Sequence, residues 1–289
     1  MIVPTYGRPV ALQQCLQALA AQICPGVDLE VIVVNDGGPA LDATGLSRLL
    51  PGVRLLHQAN AGPGAARNTG VAAASHPWLA FTDDDCRPEP RWAADFARAL
   101  ARYPDGLIGG HTINALTTNP YATASQCVID ALCSWLNSDP LNGRFVPSNN
   151  IACSKDRYLA IGGFDPAYRT GEDRDLCERW RQAGGRVIQI PSASLAHAHP
   201  LTHRSFWAQH RAYGQGSWSF HRSLRQRGDL MPRAGVHFLC PLLRQVVHQT
   251  SQRRLLLPVA LLVLESQLAV LIGNQAQRLH IRQPGARSV

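Results

Sequence analysis

No Cys-x-x-Cys pair and no metal-ligand spacing occurs among the eight cysteines, which excludes a zinc ribbon or finger. Scattered as they are, they read as reduced, mostly buried thiols of a cytoplasmic protein. No secretory leader is visible before the first strand-like run, Ile2-Val3-Pro4-Thr5, which agrees with that compartment. The run begins so close to the first residue that a start one or two residues upstream is expected. Charge is sparse: 17% of residues are charged, against 45% hydrophobic, and that balance excludes a disordered chain. Lysine is nearly missing, Lys155 being the only one. Internal repeats and low-complexity linkers are missing too.

The charge that is present is unevenly spread. Residues 1–200 carry 16 basic and 18 acidic side chains, whereas residues 201–289 carry 12 basic and 2 acidic. A basic tail favours anionic surfaces, either lipid headgroups or nucleic acid. Here the cations are interleaved with apolar runs at 236–247 and 255–272, which favours a membrane. The second run approaches the length of a spanning helix. It contains Glu265, however, and a central Glu costs on the order of 2–3 kcal/mol in lipid. Helices that lie on a membrane or pack on the rest of the chain are therefore expected in preference to a span.

Hydrophobic periodicity orders the remainder. Strands are expected at 2–5, 29–34, 53–56 and 78–81, the second without alternation, as for a strand covered on both faces. A helix after Pro9 puts Leu12, Leu16, Leu19 and Ile23 on one face, and a small-residue helix is expected at 65–74. This βαββαβ order is that of a parallel nucleotide-binding half. Further helices are expected at 90–102, 121–136 (amphipathic through Val128, Leu132 and Trp135), 154–161, 172–183 and 202–227. Further strands or extended stretches are expected at 107–113, 144–152, 187–190 and 194–199.

The fourth strand, Trp78-Leu79-Ala80-Phe81, runs into Asp83-Asp84-Asp85. Acids at the carboxyl end of a parallel strand sit where open α/β sheets bind ligands. Three in succession repel one another, and a hard divalent cation, Mg²⁺ or Mn²⁺, is a natural partner. A solvated turn capping the next helix is the plainer alternative. Other strand ends and helix starts gather on the same predicted edge. Pro4-Thr5-Tyr6 could hold a flat base. Asp36 lies in an Asp-Gly turn and either forms the turn or accepts from a ribose or base. Gly64 allows close backbone approach ahead of Arg67. Glu172-Asp173 follows Gly171 at a helix start, where carboxylates complement the helix dipole or serve as a general base. His197 and His199 alternate in an extended stretch and share a face; either could ligate a metal.

Together, Val3-Pro4-Thr5-Tyr6-Gly7-Arg8-Pro9, Val33-Val34-Asn35-Asp36-Gly37-Gly38, Gly64-Ala65-Ala66-Arg67-Asn68-Thr69-Gly70, Phe81-Thr82-Asp83-Asp84-Asp85, Gly162-Gly163-Phe164-Asp165 and Gly171-Glu172-Asp173-Arg174-Asp175-Leu176 resemble a family 2 glycosyltransferase of the GT-A fold, over roughly residues 1–215. Gly7, Asn35 and Gly38 stand where that family usually has Asn, Asp and Ser. The resemblance implies an α/β architecture with a Rossmann-like, mostly parallel central sheet flanked by helices. It implies a catalytic domain at 1–200, with a nucleotide-sugar half at 1–105 and an acceptor half at 106–200. A helical basic and apolar extension, 201–289, follows.

The implied reaction moves a sugar from a UDP-, GDP- or dTDP-sugar to a hydroxyl of a glycan or lipid-linked acceptor, with inversion and a divalent cation (Mn²⁺ or Mg²⁺). Pro4, Thr5, Tyr6, Asp36, Gly64, Arg67, Asp83 and Asp84 would bind the donor. Asp85 and His197, with His199 as alternative, would hold the metal. Asp173 would be the base, with Glu172 as alternative. Asn149, Asn150, Gly163, Phe164 and Glu172 would meet the acceptor. Such a protein would work in cell-envelope polysaccharide synthesis, in the cytoplasm or at the cytoplasmic face of the inner membrane, with no nucleic acid partner. Two other classes fit less well. A sugar-phosphate nucleotidyltransferase needs a Gly-rich loop with Lys and Arg after strand one, which Pro4-Thr5-Tyr6-Gly7-Arg8 does not supply. A non-catalytic nucleotide-sugar or nucleic-acid-binding module leaves Glu172-Asp173 and the acid triplet without a use.

Overall fold

A computed structural model of the chain describes residues 1–229, 236–250 and 252–282. Residues 230–235, 251 and 283–289, all part of the expected extension, lie outside the described residues. In chain order the elements are β1 (Ile2–Thr5), α1 (Pro9–Ala20), β2 (Ile32–Asp36), α2 (Ala43–Leu49), β3 (Arg54–Gln58), α3 (Pro63–Ala73), β4 (Trp78–Thr82), β5 (Cys86–Pro88), α4 (Trp92–Arg102), β6 (Gly106–Asn114) and α5 (Pro120–Leu136). They continue with β7 (Asn150–Ser154), α6 (Lys155–Ala160), α7 (Glu172–Gln182), β8 (Arg186–His197), α8 (His203–Gln226), α9 (Val236–Gln249) and α10 (Leu256–Arg282). They form two compact units, residues 1–115 with 136–198, and residues 116–135 with 199–289.

The first unit is built on one sheet of order β3-β2-β1-β4-β7-β6-β8-β5. β3, β2, β1 and β4 are mutually parallel, as are β6 and β8. β7 runs antiparallel to β4 and β6, and β5 antiparallel to β8. The sheet is thus mostly parallel, as expected. The chain steps outward from β1 to β2 and β3, then returns to the other side of β1 for β4. That reversal opens a crevice outside the carboxyl ends of β1 and β4, the place where such sheets bind ligands.

Period two divides the sheet's faces. Val3 and Val33 turn toward Leu12, Leu16 and Leu19 of α1 and Trp92, Phe96 and Leu100 of α4. Ile32 and Val34 turn the other way, onto Ala66 of α3. Each fully buried large side chain contributes about 1.5–3 kcal/mol. α3 lies directly on β1 because residue 70 is glycine; a Cβ there would stand 2.5 Å from Ile2 Cγ2. Ile23, expected on the buried face of α1, is 59% exposed, because the helix ends at Ala20. α2 was not expected; Asp42 caps it by accepting from the Gly45 N–H at 2.9 Å, and its Gly and Ser content hid the periodicity. β5 is too short to show a pattern. The two stretches expected at 187–190 and 194–199 are one strand, β8, carried through Pro191.

The second unit packs helices only. Its core joins Ala124, Cys127 and Ala131 of α5, Phe206 of α8, Leu242 and Val246 of α9, and Val259 and Val263 of α10. α5 therefore buries its small residues, while Val128, Leu132 and Trp135, the expected apolar face, are only half-buried. In α8, His210 is fully buried against the Phe206 ring at 4.4 Å between centroids. Neither ring nitrogen has a hydrogen-bond partner among the described residues. Burial pushes the His210 imidazole down to about 4, so it is neutral when folded.

The unfolded chain takes up that proton near pH 6.5, whereas the folded chain takes it up only near 4. Stability supplied by a neutral His210 is complete above pH 6.5 and is lost as the pH falls toward 4. The difference corresponds to about 3 kcal/mol. Urea unfolding at pH 4.5 and 7 should show His210→Phe losing less stability on acidification than the native chain. An identical acid dependence in the two proteins would contradict it.

Candidate functional site

β1 and β4 end side by side. Ile2 pairs with Phe81, so three residues on Thr5 comes level with Asp84. The Thr5 hydroxyl donates to Asp84 Oδ2 at 2.6 Å. Arg8, at the start of α1, reaches the same acids. Its Nε and Nη2 approach Asp84 at 3.3 and 2.5 Å, and its Nη1 donates to Asp85 Oδ2 at 2.6 Å. Asp84 is fully buried, and burial pushes its carboxyl up to about 6 against the opposing pull of Arg8 and Thr5. Sequence reasoning gave Asp84 to the donor; in the structure its carboxylate instead ties β1 to β4 from inside the protein. Arg8 is the residue sequence reasoning missed. The signal was its place three residues past β1, beside a strand ending in acids.

Asp85 is nearly buried and meets His197 Nε2 at 3.3 Å. The short β5 brings this about: Cys86 pairs directly with His197 across the β5–β8 ladder. Asp85, His197 and, two residues along the chain, His199 form a group able to hold a metal ion. Carboxylate with imidazole is a donor set for a divalent transition-metal ion, so the residues fit such an ion. Arg8 meanwhile offsets the charge of Asp84 and Asp85.

Asp83 turns instead to Arg67. This guanidinium, 2% exposed, lies 2.7 Å from Asp83 Oδ1 and 3.2 Å from Glu172 Oε1, over the Phe164 ring at 5.2 Å. Burial opposes its charge, but the two acids outweigh burial and raise its pKa further. Asn68, one residue on, accepts from the Tyr158 hydroxyl at 2.5 Å and the Phe164 N–H at 3.0 Å, and donates to the Phe164 carbonyl at 2.7 Å. These bonds pin the 162–164 turn to α3. Gly163 holds φ +64° within that turn, with no room for a side chain beside Tyr158.

α7 begins at Glu172 after Gly171 in the left-handed region, φ +82°. Glu172 is buried and held by Arg67. Asp173 is half-buried, its Oδ1 accepting from the Arg174 N–H at 2.8 Å. Burial raises both carboxyls above the ordinary range, and Arg67 pulls both back.

Several expected ligands are occupied by the protein itself. Asp36 Oδ1 accepts from Gln58 Nε2 at 2.7 Å and the Ala61 N–H at 2.9 Å; Oδ2 accepts from the Gly62 N–H at 2.9 Å and Asn60 Nδ2 at 3.3 Å. A carboxylate has about four such acceptor sites, so here Asp36 shapes the loop that starts α3. Asn150, expected at the acceptor, is fully buried in β7; it accepts from Trp92 Nε1 at 2.8 Å and donates to the His111 carbonyl at 3.0 Å. Phe164 is fully buried beneath Arg67. Neither Asn150 nor Phe164 has a surface left for an acceptor. Asn149 is less enclosed, with Nδ2 3.7 Å from Cys86 Sγ. Tyr6 is 58% exposed and Pro4 lies within β1. Gly64, in the first turn of α3, comes close to the Phe164 and Glu172 side chains.

A mostly parallel sheet with acids at its switch point is the architecture of GT-A glycosyltransferases, and the comparisons agree. A mannosyltransferase of Pyrobaculum calidifontis, solved with GDP-Man and Mn²⁺, superposes with a TM-score of 0.60 at 18% identity, covering 100% of this chain and 75% of that one. TarS of S. aureus (1–349), solved with UDP, gives 0.53 at 16%, covering 99% and 92%. Residues 1–153 match the model of Glycosyl transferase family 2, and the chain belongs to that family. A pre-mycofactocin glycosyltransferase of Mycobacterium tuberculosis is 29% identical over 220 residues, 74% of this chain and 45% of the relative. Glycosyltransferase AglE of Haloferax volcanii is 28% identical over 189 residues, 64% of this chain and 61% of the relative. The chain thus spans about half to three fifths of the length of these curated relatives.

Asp84 and Arg8 should be energetically coupled. A double-mutant cycle of Arg8→Gln and Asp84→Asn, followed by urea unfolding without ligand, should give a coupling energy of about 1–3 kcal/mol. Additive losses, within about 0.5 kcal/mol, would show the pair to be inert.

Proposed function

We propose that the chain transfers a sugar from a nucleoside-diphosphate sugar (UDP, GDP or dTDP) to a hydroxyl of a glycan or lipid-linked acceptor, inverting the anomeric centre. One observation carries this reading. The acid triplet at the β4 end and the Glu172-Asp173 start of α7 are joined through one buried guanidinium, Arg67. A donor-facing acid cluster and a candidate base are thereby fixed in one rigid frame, which proximity catalysis requires.

In this reading, Pro4, Thr5, Tyr6 and Gly64 border the nucleoside pocket, with Asp36 and Arg67 holding its walls in place. Asp83 faces the ribose. Asp85 and His197, with His199 as the alternative imidazole, hold the divalent cation, Mn²⁺ or Mg²⁺. When bound, that ion offsets negative charge on the departing diphosphate. Asp173 accepts the proton of the acceptor hydroxyl as its oxygen bonds to the anomeric carbon, and the bond from that carbon to the diphosphate oxygen breaks on the opposite face. Glu172, clamped by Arg67, holds Asp173 in line and keeps negative charge beside it, raising its affinity for the proton. Asn149 and Gly163 border the acceptor side. The donor and acceptor halves, 1–105 and 106–200, divide these tasks, and residues 201–289 bring the protein peripherally to a membrane surface, at the cytoplasmic face where envelope glycans are built.

Asp173→Asn should lower acceptor-dependent release of nucleoside diphosphate by about 10²–10⁴, while calorimetric binding of nucleoside diphosphate with Mn²⁺ is preserved. Near-normal turnover would remove Asp173 from its role. The pH profile gives a second check. Because burial and the neighbouring carboxylate raise the Glu172–Asp173 pair, the acidic limb of kcat/KM should lie above the ordinary carboxylate range. Glu172→Gln deletes one negative charge and should move that limb to lower pH; an unmoved limb would place the titrating group elsewhere.

A further inference from the structure

The first half of α10, with the turn before it, is long and apolar enough to cross a membrane: the helix Arg253–His280 has a window of mean hydropathy 2.3, of which 22% is buried. Its surroundings within the second unit argue for a different use. Val259, Val263, Ser266, Ala269 and Gly273 form one buried side of α10. The opposite side exposes Leu257, Leu261, Leu264, Leu268, Leu271 and Leu279 at 52–68%. At about 100° per residue these six lie within roughly 80° of arc, and Glu265, the one charge between 257 and 272, falls outside that arc. α9 behaves alike, burying Leu242 and Val246 and exposing Leu239, Leu243 and Val247 beside Arg244.

The buried side of α10 is fixed to α8. His203 Nε2 lies 2.6 Å from Glu265 Oε1. A Cβ on Gly273 would stand 1.9 Å from the Arg211 carbonyl oxygen, and one on Gly214 2.0 Å from that of Val270. His203 meets Glu265 near the start of α8, and Arg211 and Gly214 meet Gly273 and Val270 further along both helices, so the helices run side by side in the same direction with their backbones in contact. α8 carries His203, Arg204, Arg211, His221, Arg222 and Arg225. A spanning α10 would draw Arg204 and Arg211 into hydrocarbon beside Glu265, where ionised groups are strongly disfavoured.

We infer that α10 lies in the plane of a bilayer surface, its row of six leucines sunk among the acyl chains and the charged α8 kept at the headgroups. The occupant is an anionic lipid surface. Residues 201–289 hold 12 basic and 2 acidic side chains, with Arg253, Arg254 and Arg278 exposed at either end of the leucine row, and such a basic excess is drawn to anionic headgroups. This rests on the peripheral contact proposed above and fixes its mode and its residues.

The full-length protein should co-sediment with phosphatidylglycerol–phosphatidylcholine vesicles, release in high salt, and leave cell membranes in alkaline carbonate. Leu261→Glu with Leu268→Glu, both on the exposed row, should lower vesicle binding by about tenfold or more, with the thermal melt and the release of nucleoside diphosphate in solution unchanged. Four results would overturn the inference. They are retention in the carbonate pellet, which marks a span; equal binding to pure phosphatidylcholine vesicles; vesicle binding undiminished in the variant; and a concentration-dependent dimer that the same substitutions dissolve, which makes a second copy the occupant. Absence of donor turnover in the native protein, with vesicle behaviour as stated, would count against the glycosyltransfer reading and leave the surface standing.

Discussion

Arg67 is a fully charged side chain inside the first unit, and the rest of the site depends on how its charge is met. A buried guanidinium persists only where acids and a polarisable face surround it. Asp83 comes from the loop after β4, Glu172 from the first turn of α7, and the face from Phe164 in the turn before α7. The β4 end and the 164–172 stretch, far apart in sequence, are thus obliged to converge on one group. The position of Arg67 is in turn set by α3 lying against β1, which needs glycine at residue 70. Losing either acid would leave a buried charge half-compensated, so the frame is held by necessity as much as by attraction.

The acids beyond Arg67 pose the opposite problem. Asp84 and Asp85 bring negative charge into a nearly closed space, and the chain answers with Arg8 and His197. Arg8 is 45% exposed along its side chain, whereas its partners are at most 4% exposed. The cation is the exposed member and the acids are the enclosed ones. A crevice built in this way presents preorganised carboxylates to whatever positive charge is available. The same logic separates the triplet. Asp83 is held by a fixed cation, Asp84 is spent on β1, and Asp85 faces the imidazole.

Much of this was legible in the sequence. The strand before the triplet, the helix starts at Gly64 and Gly171 and the order of the parallel half are local patterns, and local patterns survive into the fold. What stayed hidden were consequences of register and burial. That Thr5 stands level with Asp84 follows only from the pairing of Ile2 with Phe81. That Asp36 is saturated follows from Gln58 lying beside it across the β2–β3 ladder, with the 60–62 loop folding over both. Asn149 and Asn150 look interchangeable in sequence. Alternation along β7 sends Asn150 into the core against Trp92, and its amide is used up there.

Size, rather than polarity, carries the information in the second unit. α5 and α10 are apolar on more than one side, so hydrophobic periodicity does not distinguish the packed face from the bare one. In both, the packed face is the one with small or β-branched residues: Ala124, Cys127 and Ala131 in α5, and Val259, Val263, Ser266, Ala269 and Gly273 in α10. Small side chains let helix backbones approach closely, as at Gly214 and Gly273, and dispersion over that short separation compensates for the modest area each residue buries. The leucines are then displaced outward by geometry. A run rich in leucine therefore marks the surface of this unit rather than its core, the reverse of the usual reading. Glu265 fits the same scheme, since it sits on the flank of the small-residue face, where α8 offers His203.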